Sequence, residues 1–86
     1  MHLEYRLQID DKVIKDLKKI DKTWQKRILK KIKNTLATDP YSGKRLVGDL
    51  SPFWRMRVGD YRIIYAIEED IVTVEVIKIK HRKEIY

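Results

Sequence analysis

Residues 53–65 read FWRMRVGDYRIIY. Arg55, Arg57 and Arg62 lie in two alternating runs on either side of Gly59-Asp60, a pair suited to a tight hairpin turn. A two-residue turn fixes the register of the strands it joins. Val58 is then opposite Tyr61, Arg57 opposite Arg62, Met56 opposite Ile63, and Arg55 opposite Ile64. Like charges directly opposite destabilise a sheet by up to about 1 kcal/mol, so facing guanidinium groups call for an anion. One candidate is internal: Glu75, as an ion-pair partner on a solvated face. The other is external: a phosphate held bidentately by guanidinium forks.

The sequence closes with Lys80-His81-Arg82-Lys83-Glu84-Ile85-Tyr86. If this end curls over the same face, Arg82 and Tyr86 join the three arginines. A phosphate bracketed by fixed cations with a phenol nearby suits cleavage of an RNA backbone. The 2′-hydroxyl attacks the adjacent phosphorus, charge builds on the phosphoryl oxygens, and the 5′-oxygen leaves. Cations aimed at that charge can lower the barrier by several kcal/mol. Lys44, Arg45, Lys80, His81 and Lys83 are the basic residues expected to line the RNA around this centre. His81 has the unperturbed pKa that suits proton transfer near neutrality, although a structural role is its plainer reading. Glu75 and Glu84 each lack a partner carboxylate, so nothing supports a paired acid–base scheme. There is no zinc spacing, glycine-rich phosphate loop or nucleophilic serine or cysteine arrangement, and neither a metal nor a cofactor is expected.

These residues need a scaffold. His2–Ile9 alternates, with Leu3, Tyr5, Leu7 and Ile9 on one face, as in a half-buried strand. Asp10 or Asp11 can cap a helix carrying Val13, Ile14, Leu17 and Ile20. Asp21 can cap a second helix in which Trp24, Ile28, Ile32 and Leu36 recur every four residues, with Leu29 alongside. That helix must end by Asp39-Pro40. Residues 38–52 read as a loop anchored by Leu46 and Leu50, long enough to be a binding loop. After the hairpin, Glu68-Glu69-Asp70 makes a turn and Ile71 to about Lys80 forms the last strand. Trp54, Met56, Val58, Tyr61, Ile63, Tyr65, Ile67, Val72, Val74 and Val76 are expected to face the helices. Phe53, Arg55, Arg57, Arg62, Ile64, Ala66, Thr73 and Glu75 are expected on the other face. Trp24 is expected in the core. The predicted fold is α+β: an N-terminal strand, a two-helix hairpin, then a three-stranded antiparallel meander, with the helices on one sheet face.

Composition sets the outer limits. Eighty-six residues make one domain, 1–86, that buries about two thirds of its unfolded surface. No apolar run approaches the roughly 20 residues of a membrane span. The start of the sequence lacks the pattern of a signal peptide, and there is no cysteine to form a disulfide. A cytoplasmic location is expected. The net charge of +7 points to a polyanionic partner. Residues 11–37 hold nine lysines and one arginine against three aspartates. These line outer helix faces, either as solvated charge or as a docking surface for ribosomal RNA.

Leu46, WRMRVGDYRIIY and the closing HRKEIY together resemble the RelE side of the RelE/ParE toxin superfamily. The resemblance covers nearly the whole chain and is most specific over residues 46–86. It implies a fold like that of small microbial ribonucleases. It also implies a ribosome-dependent endoribonuclease that cuts mRNA in the ribosomal A site, held inactive in a heteromeric complex with a cognate RelB-like antitoxin. On this resemblance Arg62 stabilises the transition-state phosphate, and Arg55 and Arg57 contact the RNA and assist proton transfer. Arg82 is leaving-group acid or phosphate stabiliser, and Tyr86 stacks on a base and assists the attacking hydroxyl. Positions 55 and 57 are arginines where the best-studied sites have lysines. Arginine hardly deprotonates, which counts against a general-base role for them. Two other functions fit the same charge: a ParE-like inhibitor of DNA gyrase that cuts no RNA, and a non-catalytic module that binds RNA or the ribosome.

Overall fold

The alternating segments bury one side, and the structure, a computed structural model, shows what covers it. Residues 4–46, 48 and 52–81 are described. In chain order the elements are β1 (Arg6–Ile9), α1 (Asp11–Lys18), α2 (Lys22–Lys31) continued by a π-helical turn (Ile32–Leu36), a 3-10 turn (Pro40–Ser42), β2 (Lys44–Arg45), β3 (Trp54–Val58), β4 (Tyr61–Glu68), a second 3-10 turn (Glu69–Ile71) and β5 (Thr73–His81). The strands form one sheet in the order β1-β5-β4-β3-β2. β1 runs parallel to β5, and the other neighbours are antiparallel. The helical hairpin thus carries the chain from one sheet edge to the other and covers the face it crosses. None of the helices described is long and apolar enough to cross a membrane.

The helices form where their caps and apolar stripes allow. The Asp10 carbonyl accepts the first backbone bonds of α1, from Val13 and Ile14. The Asp21 side chain accepts from the Thr23 amide at 3.1 Å, a genuine N-cap. Val13, Leu17, Ile28, Ile32 and Leu36 are buried against Met56, Ile63, Tyr65, Val74, Val76 and Ile79. A step of four residues overshoots a full α-helical turn by roughly 40°. The stripe Trp24, Ile28, Ile32, Leu36 would therefore drift off the sheet. The slower winding of the π-helical turn at Ile32–Leu36 corrects that drift and keeps Leu36 buried.

The hairpin register is the one the two-residue turn dictates: Arg57 pairs with Arg62, Val58 with Tyr61, Met56 with Ile63 and Arg55 with Ile64. Gly59 adopts φ +59°, and a methyl group there would also overlap the Trp24 ring. Trp24 is accordingly not in the core as expected. It is half-buried beneath the turn, 5.9 Å from the Tyr61 ring, with the Arg27 guanidinium 5.0 Å above it.

Other expectations are corrected. The segment taken as a loop at 38–52 contains a strand, β2, whose Lys44 pairs with Arg55 and Arg45 with Trp54. A buried tyrosine places it. The Tyr65 hydroxyl donates to the Pro40 carbonyl at 2.6 Å, and Gly43 lies so close to Tyr65 and to the Arg55 carbonyl that no side chain fits. Burial drives the Tyr65 pKa up to about 12, partly opposed by a hydrogen bond from the Gly43 backbone. The last strand begins at Thr73, not Ile71. Ile71 is exposed in the 3-10 turn, and Val72 takes a left-handed conformation, φ 48° and ψ 54°, that ends it. Thr73 is on the open face as expected, opposite Arg6 and Glu68, but is buried there. Ile14 and Leu29 are exposed on their helices. The expectations for His2, Leu3 and Leu50 lie outside the described residues.

Gly59→Ala is expected to lower unfolding free energy by at least about 1–2 kcal/mol, the cost of an L-residue in left-handed geometry, read from the denaturant midpoint. Trp24→Leu in the same background should recover the overlap and leave the backbone cost. Tyr65→Phe orphans the buried Pro40 carbonyl and should cost about 1–3 kcal/mol in the same measurement.

Candidate nucleic-acid interface

The helices cover one sheet face, and the arginines are on the other. Residues directly opposite across paired strands project to the same face. Reading across β3, β4 and β5, Arg57 stands beside Arg62 and Arg62 beside Lys80. Reading across β2 to β5 two residues along, Lys44 stands beside Arg55, Arg55 beside Ile64 and Ile64 beside Lys78. Neither row contains an acidic residue. Arg57, Lys44 and Lys78 are exposed, while Arg55, Arg62, Ile64 and Lys80 are half-buried.

A bulge completes these rows. Tyr65 pairs with Val76 and Ile64 with Lys78, so Ile77 has no residue opposite it. Without that extra residue, the parity of Val74 and Val76 would send Lys78 and Lys80 into the core. The bulge turns both lysines to the open face and buries Ile79 instead. Lys78 is a residue the sequence reading did not place at the site. The signal was present: Val72-Thr73-Val74-Glu75-Val76 and Ile77-Lys78-Ile79-Lys80 alternate in opposite phase, and a strand changes phase only through a bulge. Two cavities open onto the cations. One of about 260 Å³ is lined by Arg57, Gly59, Asp60 and Arg62. Another of about 460 Å³ lies along the β3 edge, where Lys31 and Thr35 of the helical segment face Lys44, Arg55 and Arg57. β2 covers β3 only at Trp54 and Arg55, so Met56–Val58 form the sheet edge there. Such a face suits an extended anion with several phosphates.

The chain matches, over residues 7–86, the family described as the ParE toxin of type II toxin–antitoxin systems. It belongs to this family, and so to the RelE/ParE superfamily. Solved structures carry the fold. The toxin–antitoxin complex RelBE2 of Mycobacterium tuberculosis aligns at 25% identity and TM-score 0.87 over 93% of each chain. The archaeal RelE–RelB complex of Pyrococcus horikoshii aligns at 28% and 0.77 over 92% of this chain and 96% of that one. The isolated Escherichia coli RelE toxin is 24% identical, TM-score 0.74, over 90% and 83%. A comparison with functionally curated proteins returns no significant match.

In this toxin the expected site residues do not all share one face. Arg55, Arg57, Arg62, Lys44 and Lys80 are together. Arg45 pairs with Trp54 and is therefore on the helix side, where it lines a cavity with Tyr41, Trp54 and Glu68–Asp70. His81 pairs with Tyr61, its ring 4.9 Å from the tyrosine ring, in a cavity shared with Asp16, Lys19 and Asp21. The bulge explains His81: with Ile79 turned inward, residue 81 follows it to the helix side. Both residues are thus separated from the arginine face. Arg82, Lys83 and Tyr86 lie outside the described residues.

Glu75 does not serve as the arginines' counter-ion. A hydrogen bond with Asp10 is the largest influence on its carboxyl, followed by partial burial and the charges of Asp10 and Glu68, and all raise its pKa above the ordinary value. A carboxyl with a raised pKa favours the folded state below its unfolded pKa, and that advantage is lost as pH rises through the folded pKa. Glu75→Gln keeps the hydrogen bond and removes the repulsion. It is expected to raise Tm by a few degrees at pH 7, with the gain fading toward about pH 4, where glutamate itself protonates. Thermal melts across that range check it.

Proposed function

We propose that this toxin is a ribosome-dependent endoribonuclease that cleaves mRNA in the ribosomal A site. The observation that carries this reading is Arg62 set between Arg57 and Lys80 in a row with no acid. Asp60 at the turn shares a cavity with Arg57 and Arg62, but the row itself carries three cations side by side. A phosphodiester bound there relieves their repulsion, and relieves it most as charge grows on the phosphoryl oxygens. In this mechanism the 2′-hydroxyl attacks the adjacent phosphorus and loses its proton to solvent, the P–O5′ bond breaks to leave a 2′,3′-cyclic phosphate, and the departing 5′-oxygen takes a proton from solvent. Arg62 binds the non-bridging oxygens as their charge develops. Arg57 and Arg55 hold the RNA from β3. Arg82 stabilises the phosphate and the charge growing on the leaving oxygen, and Tyr86 stacks on a base beside the attacking hydroxyl. Lys44, Lys80 and Lys83 supply further backbone contacts. The solved RelB–RelE complexes among the similar structures support a cognate RelB-like antitoxin in a heteromeric complex, and an acidic segment laid over this basic face is the partner that its charge would suit.

The ParE name of the matched family favours a second reading, inhibition of DNA gyrase without RNA cleavage. Brief induction in cells, with mapping of transcript 5′ ends, separates the two. The nuclease reading expects new 5′ ends within translated codons. Arg62→Ala should reduce cutting by roughly 10²–10³-fold and relieve growth arrest, with circular dichroism unchanged. Intact transcripts accompanied by a DNA-damage response would instead establish gyrase inhibition.

A further inference from the structure

The open face has more cationic reach than one phosphate uses. Arg62 has two diagonal neighbours across the strands: Arg55 on β3 and Lys78 on β5, one on each side of Ile64. Diagonal positions in a sheet are roughly 7–8 Å apart, a separation comparable to one phosphate step of an extended single strand. Arg55 and Lys78 are themselves two strand spacings apart, roughly 9–10 Å, too far for one phosphate to engage both squarely. Lys44 reinforces the Arg55 side. On the Lys78 side the face ends in carboxylates: Glu75, three residues back on β5, and Asp10, which stands close enough to raise the Glu75 pKa.

From this layout, and resting on the nuclease reading above, we infer that the face holds three successive RNA phosphates in a bent path, with the scissile phosphate at Arg62 and its two neighbours at Arg55/Lys44 and at Lys78. Ile64, half-buried in line between Arg55 and Lys78, is the apolar rest on which the sugars lie. The bend has a chemical use. Attack by a 2′-hydroxyl needs that oxygen in line with the departing 5′-oxygen, a geometry a regular helical backbone does not present. Holding both flanking phosphates back while Arg62 draws the central one forward rotates the backbone toward that alignment, so substrate binding supplies part of the orientation. The carboxylates at Glu75 and Asp10 repel a fourth phosphate, which directs the RNA off the sheet after Lys78. Lys78 is therefore a positioning residue. It gains that place only through the Ile77 bulge.

The test uses the full-length toxin on ribosomes programmed with a short mRNA whose A-site codon carries one neutral methylphosphonate linkage, 5′ or 3′ of the cleaved bond. Lys78→Ala should lower kcat/KM about tenfold and flatten its logarithmic salt dependence by roughly 0.7, the slope of one single-strand phosphate contact. Lys78→Arg should restore both. A neutral linkage on one side should cost the wild type a similar factor and cost Lys78→Ala nothing more, a non-additivity that identifies the contact. Wild-type cleavage by Lys78→Ala, or full additivity with the neutral linkage on both sides, overturns the inference while leaving the nuclease reading intact. A wild-type toxin that cuts no programmed mRNA removes the reading and the inference together.

Discussion

The structure turns on a repulsion that the backbone will not let relax. A two-residue turn leaves β3 and β4 no freedom to slip, since a shift of one residue would expose Met56, Ile63 and Tyr65 and bury the arginines. Arg57 and Arg62 must face each other for as long as that core stays dry. The penalty is at most about 1 kcal/mol, well below the cost of exposing several large apolar side chains. The charges therefore remain where they are, with their attraction for an external anion undiminished by rearrangement. The hairpin is buttressed from beneath at the turn, where Trp24 lies under Gly59 and against Tyr61. A site that relies on preorganised charge needs this stiffness, because a hairpin free to splay would spread its guanidinium groups apart.

The two ends of the open face have opposite character. Toward the hairpin turn lie Arg57, Arg62 and Lys80. Toward the turn between β4 and β5 lie Glu68 and Glu75, with Arg6 opposite Thr73, and Asp10 follows at the far end of β1, level with Val76. Asp10 and Glu68 stand near enough to Glu75 to make its carboxyl harder to ionise than usual.

How much of this was legible in the sequence depended on how tightly local rules constrained each part. The hairpin register was readable because Gly59-Asp60 admits little variation, and the helical stripes because Val13, Leu17, Ile28, Ile32 and Leu36 repeat without interruption. The short strand at Lys44–Arg45 was not readable. It is made by Tyr65, some twenty residues away, reaching Pro40, and by a glycine valued for its missing side chain, and no local pattern announces either. The position of Trp24 depends equally on a distant contact. The bulge was readable in principle from the phase change around Ile77. Simple alternation carried past it assigns Lys78 and Lys80 to the wrong side and His81 with them. Arg45 was grouped with Lys44 because they are adjacent, yet neighbours in a strand point to opposite faces.

The brevity of β2 has a colloidal consequence. It shields β3 for only two residues and leaves Met56–Val58 as an uncapped margin, the kind of flank through which sheets of separate molecules can fuse into fibrils. Here the margin is bordered by Arg57, Lys44 and Lys31. Two copies approaching edge to edge would bring these like charges together in a confined, poorly hydrated gap. The cations that could grip an RNA chain thus also keep the free molecules from adhering to one another, so neutralising them for any reason would put solubility at risk along with binding.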